Sequence, residues 1–237
     1  MDIKNKLIEA IEKSTDERML EYIYSHVLEN TDILNQKYYE WIKNQTEKEK
    51  ALKKFVGSLE YLFEDMCFRQ GSITGDYMLH NGRHLSFVPP LKFDKQYFCL
   101  AVDNIEGHGE KPAYTDVISR KIVVDKRHIN DKSTILHEMI HAHEFILERR
   151  KPLLKEIVLL ELYKDLKPKL SQKNLDIDTW IFNHANVPHN EDLADEGGEH
   201  DLLFFLKSID LDLKCGFEFF TVFGYNYYNI FKEMNLL

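Results

Sequence analysis

Apolar residues recur at steps of three and four from the start of the chain to about residue 70, with lysine and glutamate between them. This spacing places the apolar side chains on one face of a helix. Glycine and proline, which weaken helices, are nearly absent from the same stretch. The pattern predicts a helical region over residues 1–70 that packs as a subdomain on the remainder of the chain.

The character of the chain changes at about residue 71. Glycine, proline and asparagine become frequent up to about residue 129 and mark turns between short segments. Three of these segments are rich in β-branched and aromatic residues: Leu85–Val88, Tyr97–Val102 and Val117–Val124. They predict the strands of a small sheet.

Helical spacing returns after residue 130, where Asn130, Asp131 and Ser133 offer oxygens that can cap a helix. Apolar residues then recur at helical steps as far as Pro152, which ends the run. Three further helices are predicted, over Pro152–Leu166, around Asp176–Phe182 and from about Glu191 to Ile209. Strands and helices together predict an α+β domain over residues 71–237.

Composition limits the classes of function. The chain has 237 residues, 43% of them hydrophobic, which is enough for one sizeable domain with a helical annex. Its net charge of −9 argues against binding nucleic acid through the overall field and leaves only a local basic patch open.

The three cysteines, Cys67, Cys99 and Cys215, lie far apart and form no Cys-x-x-Cys pair. Their odd number fits reduced thiols in a cytoplasmic protein, and their spacing excludes a zinc ribbon. The first residues do not resemble a signal peptide, and no apolar stretch reaches the roughly 18 residues that a membrane helix requires. We therefore expect a cytoplasmic protein without a membrane span, whose oligomeric state stays open.

The most specific chemistry lies in the helix predicted after residue 130. Residues 137–141 read His-Glu-Met-Ile-His, which places two imidazoles four positions apart on one helix face. Both rings can then bind one metal ion, while Glu138, turned about 100° away, can contact a water at the metal. This HExxH arrangement is typical of zinc-dependent hydrolases with a glutamate as general base. It predicts one catalytic Zn²⁺ with His137 and His141 as ligands and Glu138 as the catalytic residue.

A catalytic zinc needs a third protein ligand, and two residues compete for this position. His200 follows a pair of glycines and precedes an apolar run that can anchor a helix. Glu191 lies in Asn-Glu-Asp-Leu-Ala-Asp, which looks like the Asn-Glu-x-x-x-Asp element of thermolysin-like proteases. The two residues are nine positions apart, so both cannot face the ion from one regular helix.

Other residues near the motif are weaker candidates. His143 points to a different side of the helix from His141. His184 and His189 lie in a segment predicted to be mainly loop, where most histidines bind nothing. Glu144, one turn beyond His141, is expected to contact a ligand or to lie at the surface rather than to bind the metal.

Residues 137–145, His-Glu-Met-Ile-His-Ala-His-Glu-Phe, resemble the active-site helix of SprT-like (Spartan-related) proteases. In that family a later histidine opens another helix and an aromatic residue follows four positions on, as Phe204 follows His200 here. Ile118–Val124 and Phe217–Phe223 resemble the strands before and after these helices. The likeness covers roughly residues 98–145 and 196–224, and it favours His200 over Glu191.

Two departures from the family pattern concern the third ligand. The segment between His141 and His200 is much longer than usual, and Asp201 stands where the family commonly has glycine. The resemblance implies a zincin-like metalloprotease core, consisting of a small sheet and the HExxH helix, that hydrolyses peptide bonds in a protein or peptide substrate. No residue is assigned to stabilise the oxyanion, since Arg120 and Tyr114 are expected to be structural or surface residues.

Two functions from other classes stay open. One is a regulator that keeps the metal site and binds a partner, through the N-terminal helices. The other is a domain whose histidines bind metal for stability alone. A structural zinc usually has four protein ligands, whereas a catalytic zinc leaves one position open, so ligand number separates these alternatives.

Overall fold

The structure is a computed structural model that describes residues 32–66, 93, 98–105, 112–117, 119–150, 152–186 and 200–224. Within these ranges the protein has the predicted α+β composition, with six α-helices and one mixed three-stranded sheet. The α-helices are α1 (Asp32–Asn44), α2 (Glu47–Leu59), α3 (Lys132–Arg150), α4 (Pro152–Ser171), α5 (Ile177–Asn186) and α6 (Leu202–Cys215). The strands are β1 (Cys99–Asp103), β2 (Ala113–Asp116) and β3 (Lys121–Asp125), and a 3₁₀ helix spans Glu60–Met66.

The chain divides into two units, one formed by residues 1–54 and 93–129 and the other by residues 55–92 and 130–237. The first unit holds the sheet and α1, and the second holds α3 to α6; the division falls within α2. The strand predicted at Leu85–Val88 and the domain boundary predicted near residue 70 lie outside the described residues.

In the first unit, β3 is the central strand of the sheet. It pairs in parallel with β1 and antiparallel with β2, so the strand order is β1-β3-β2. The side chains of Ile122, Val123 and Val124 are buried, which suits β-branched residues on a strand with a neighbour on each side.

The strand predicted over Val117–Val124 is shorter in the structure. It begins only at Lys121, because Asp116 accepts hydrogen bonds from the backbone N–H and the hydroxyl of Ser119 and thereby forms a turn. Arg120 completes that turn with a left-handed φ of 52°. Sequence reasoning missed β2 because its four residues are too few to show an alternating pattern.

Asp125, at the end of β3, is completely buried. Its carboxylate accepts hydrogen bonds from the backbone N–H groups of Ile105 and Arg127 at 3.1 and 2.8 Å. The guanidinium of Arg127 also donates to it, with Nε at 2.8 Å. These hydrogen bonds, first of all those from the Arg127 side chain, hold the pKa of Asp125 well below its usual range despite burial. Asp125 therefore stays charged, and its hydrogen bonds stabilise the end of β3.

In the second unit, α4 packs against α3, α5, α6 and the 3₁₀ helix, and α6 packs against α3 and α5. Every residue from Leu203 to Asp212 is buried, so α6 is the central helix. The buried Lys207 donates to the carbonyl oxygen of Leu62 at 2.9 Å and to Asp210 at 2.6 Å, which ties α6 to the 3₁₀ helix. None of the described helices combines the length and apolar character needed to cross a bilayer.

Three helix and strand predictions for the second unit require correction. The helix predicted over Pro152–Leu166 continues to Ser171, because Pro168 lies on its exposed side, where the carbonyl that loses its donor can bond water. The helix predicted from about Glu191 begins at Leu202 within the described residues. The Phe217–Phe223 segment, which resembled a strand, forms turns, with Phe220 in the left-handed region at φ 69°.

Candidate metal centre

His137 and His141 lie one turn apart on α3. The helix begins where Asp131 accepts hydrogen bonds from the backbone N–H groups of Ser133 and Thr134, at 3.1 and 3.3 Å. This satisfies two of the N–H groups that a helix start leaves without partners. The two imidazole ring centroids are 5.1 Å apart, as the spacing of four residues predicts.

His200 approaches these rings from the start of α6. It directly precedes Asp201, the N-cap residue, whose side chain accepts from the backbone N–H groups of Leu203 and Phe204. The centroid of the His200 ring is 4.8 Å from that of His137 and 5.1 Å from that of His141. The cap thus fixes the backbone beside His200.

The three histidines form a group that could hold a metal ion. One nitrogen from each ring lies within 4.8 Å of the other two, and Nε2 of His137 is 3.1 Å from Nε2 of His200. Each of the three residues keeps partial exposure to solvent. Among the described residues this group contains no cysteine, aspartate or glutamate, so it offers three imidazole donors.

A backbone carbonyl determines which nitrogen of His137 carries the proton. Nδ1 lies 2.9 Å from the carbonyl oxygen of Val222. A carbonyl can only accept, so Nδ1–H donates and Nε2 carries a lone pair. Nε2 is also the nitrogen that faces His200, so the tautomer present is the one that a metal ion requires.

Burial keeps two of the rings neutral. It lowers the pKa of His137 from 6.5 to about 4, although hydrogen bonding to the backbone of Val222 and Phe223 opposes the shift. Burial, together with the charge that His137 would carry, lowers the pKa of His141 to about 3, against the attraction of Asp201. Neutral imidazoles are the form that binds metal, so no proton has to leave these two rings near neutral pH.

One aromatic ring contacts all three histidines. The ring centroid of Phe204 is 4.8 Å from His137, 4.6 Å from His141 and 4.3 Å from His200. Phe204 is fully buried and lies in the first turn of α6, on the side that His200 approaches. It gives the group an apolar wall, which restricts how the rings can turn.

Two glutamates of α3 are buried near the histidines in sequence. Glu138 is 5% exposed and Glu144 is 8% exposed. Burial raises the pKa of Asp201, but hydrogen bonds with Glu144 and Lys155 and with the backbone of Phe204 lower it below its usual value overall. The ammonium of Lys155 is 2.6 Å from Asp201 and 3.9 Å from Glu144, so it compensates the charge of this carboxyl pair.

The remaining candidate residues lie elsewhere or outside the described ranges. His143 packs edge-on against Phe63, with centroids 5.6 Å apart, and His184 stacks on Phe205 at 4.4 Å. His189 and Glu191 fall within residues 187–199, outside the described part of the chain. Tyr114 is 42% exposed on β2, and Arg120 lies in the turn before β3.

Sequence reasoning overlooked Asp212, whose buried carboxyl group accepts from the backbone N–H of Val222 at 3.0 Å. It also overlooked Lys207, Asp210 and Lys155. A signal was available for the residues of α6: Lys207, Asp210 and Asp212 interrupt a run that is otherwise strongly apolar. Charged residues inside such a run are rarely buried without partners, so they point to specific contacts.

Comparisons of the chain with models of known protein families, with curated protein sequences and with solved structures gave no match.

Proposed function

We propose that this protein is a zinc-dependent peptidase, related to the SprT-like proteases, with a zincin-like core and a helical N-terminal subdomain over residues 1–70. One observation carries the proposal: His137 and His141 on α3 converge with His200, 63 positions after His137 in the chain, on one partly exposed point. The order of elements along the chain also supports it, since a strand precedes the motif helix and a later helix follows the third histidine, although α4 and α5 lie between the two helices.

The donor set fits a zinc ion. Imidazole nitrogens bind zinc at about 2.0–2.1 Å in tetrahedral geometry, which places two ligand nitrogens about 3.3 Å apart. The Nε2 atoms of His137 and His200 are 3.1 Å apart, so this pair is already near that separation. Three ligands with partial solvent exposure leave one position for water, as catalytic zinc sites do.

His137, His141 and His200 would hold the zinc ion, which would supply Lewis-acid chemistry for activating a water and polarising a peptide carbonyl. Glu138 takes the proton of the attacking water and then delivers it to the leaving amine. The buried position of Glu138 removes competing solvent from its carboxylate. His137, His141 and His200 act as neutral ligands throughout.

The proposed substrate is a polypeptide. The HExxH arrangement and the resemblance to SprT-like proteases support peptide-bond hydrolysis. The net charge of −9 gives no support to a substrate bound to DNA, because phosphate contacts need clustered positive charge.

Replacing Glu138 by glutamine tests the catalytic assignment. We expect Glu138→Gln to bind one equivalent of zinc like the wild type and to cleave an unfolded protein substrate about 10²–10⁴-fold more slowly, because it loses the general base. Glu161→Gln, the same change at a glutamate of α4 that ion-pairs with Lys164, is the matched control and should keep full activity. Zinc content and cleavage rate are measured on the same preparations.

The outcomes separate the alternatives. Loss of zinc from Glu138→Gln would make Glu138 a ligand and contradict its assigned role. A wild-type protein that binds zinc and cleaves no peptide in a broad library would favour the regulatory or structural function instead. A third ligand at Glu191 would be revealed if Glu191→Ala, rather than His200→Ala, abolished zinc binding.

A further inference from the structure

We propose that Asp212 is a positioning residue for the metal site: its buried carboxyl group holds the turn of residues 220–223 against His137 and His200. Asp212 lies near the end of α6, the helix that begins beside His200. The inference rests on the proposed zinc site and adds to it a group that does not touch the ion.

The turn of residues 220–223 contacts two of the three histidines. The carbonyl oxygen of Val222 accepts from Nδ1–H of His137 at 2.9 Å. The ring centroid of the next residue, Phe223, is 5.5 Å from that of His200. A displacement of this turn would therefore allow the His137 ring to rotate and would remove a packing contact from His200.

Asp212 fastens this turn to the end of α6. Its Oδ1 accepts from the backbone N–H of Val222 at 3.0 Å. Its own carbonyl oxygen accepts from the N–H groups of Gly216 and Phe217, the latter at 2.9 Å. Val222 thus links the two residues: its N–H donates to the Asp212 carboxyl group, and its carbonyl oxygen accepts from His137.

The conformation of the turn needs such a partner. Phe220 has a φ of 69°, a left-handed conformation that is unfavourable for a residue with a large side chain. Asp212 is completely buried, so its carboxyl group is kept from water and directed at backbone donors. Partners of a ligand that do not touch the metal commonly change metal affinity by about 10–100-fold when they are removed.

The test compares zinc affinity, by competition with a chelator, in the wild type, Asp212→Ala and Asp212→Asn. We expect Asp212→Ala to bind zinc about 10–100-fold more weakly. Asp212→Asn keeps one acceptor oxygen for Val222, so its affinity should lie between those of the wild type and the alanine variant. The visible absorption spectrum of the Co²⁺-loaded proteins gives a second readout, and it should change in the alanine variant because the ligand geometry changes.

Leu170→Ala is the control for general destabilisation, because Leu170 is fully buried on α4 and its side chain is purely apolar. It should lower the melting temperature and leave zinc affinity unchanged. If Asp212→Ala does not fold, Asp212→Asn decides, and unchanged affinity in that variant overturns the inference. Unchanged affinity in a folded Asp212→Ala overturns it as well. A wild type that binds no zinc would overturn the proposed function together with this inference, so the two failures are distinguishable.

Discussion

Asp125 in the first unit and Asp212 in the second are both completely buried, and each binds backbone N–H groups near the end of its element. Asp125 has the guanidinium of Arg127 beside it, and its pKa is held below the usual range. In the part of the chain that the structure describes, no lysine or arginine forms an ion pair with Asp212, and burial raises its pKa to about 7. A nearby cation therefore decides whether a buried carboxyl group stays charged.

The same distinction separates Asp212 from Asp210, two residues earlier on α6. Asp210 lies 2.6 Å from Lys207 and 2.8 Å from Lys214, so it is paired with two cations. His137 and His141 of the candidate metal site belong with Asp212, because burial lowers the pKa of both imidazoles. The second unit thus contains two kinds of buried polar group. Asp210 is paired with two cations, whereas burial favours the neutral forms of Asp212, His137 and His141, and the two imidazoles could bind a metal ion.

The largest effect is expected from Asp210→Ala. The substitution removes the carboxylate that pairs with the completely buried Lys207. Breaking a buried pair in this way lowers the free energy of unfolding by about 3–5 kcal/mol. Asp165→Ala is the matched control, since Asp165 pairs with Lys169 on an exposed surface at a spacing of four residues, the spacing of Asp210 and Lys214. That variant should lose no more than about 1 kcal/mol in urea unfolding. Equal losses in the two variants would contradict the role assigned to Asp210.

Zinc should stabilise the protein by a smaller amount. A ligand present at about 100 times its dissociation constant and bound only by the folded state adds about 2.7 kcal/mol to the free energy of unfolding. The measurement is the melting temperature of metal-free protein with and without zinc. His200→Ala should lose this stabilisation, whereas the alanine variant of His143, which packs against Phe63 instead, should retain it. Retention in His200→Ala would contradict the ligand set.

A pH dependence of stability distinguishes Asp212 from Asp125. The pKa of Asp212 in the folded protein, about 7, exceeds its ordinary value of 3.8, so the folded state binds more protons between these values. Its contribution to stability is complete below pH 3.8 and is lost as the pH rises through 7, with a limiting slope of about 1.4 kcal/mol per pH unit. Asp212→Asn should lack this slope. The difference between wild type and variant in urea unfolding from about pH 4 to about pH 7 measures it, and identical profiles would contradict the assignment.

Local features of the fold were predictable from sequence because they depend on nearby residues. The start of α3 follows from the capping oxygens of Asp131, and the approach of His137 to His141 follows from helical spacing. The local residues made His200 one of two candidates for the third ligand, and only the family resemblance favoured it over Glu191, because a separation of 63 residues has no local signal.

Two of the errors share one physical cause, which is a hydrogen bond from the backbone to a side chain that the local pattern does not reveal. The aromatic residues from Phe217 to Phe223 resembled a strand, yet the carboxyl group of Asp212 accepts a hydrogen bond from the backbone N–H of Val222 and the segment forms turns. The late start of β3 likewise reflects the hydrogen bonds from Ser119 to Asp116. The residue types of a segment indicate whether it prefers helix or strand. The side chain that a backbone N–H group finds as its hydrogen-bond acceptor depends instead on the surrounding fold.

The proposed catalytic zinc site is best tested by a crystal structure of the protein loaded with one equivalent of zinc. The prediction is one ion bound to nitrogens of His137, His141 and His200 at about 2.0–2.1 Å, with a fourth position held by water. Three rings without an ion between them, or an ion enclosed by four protein ligands, would contradict it.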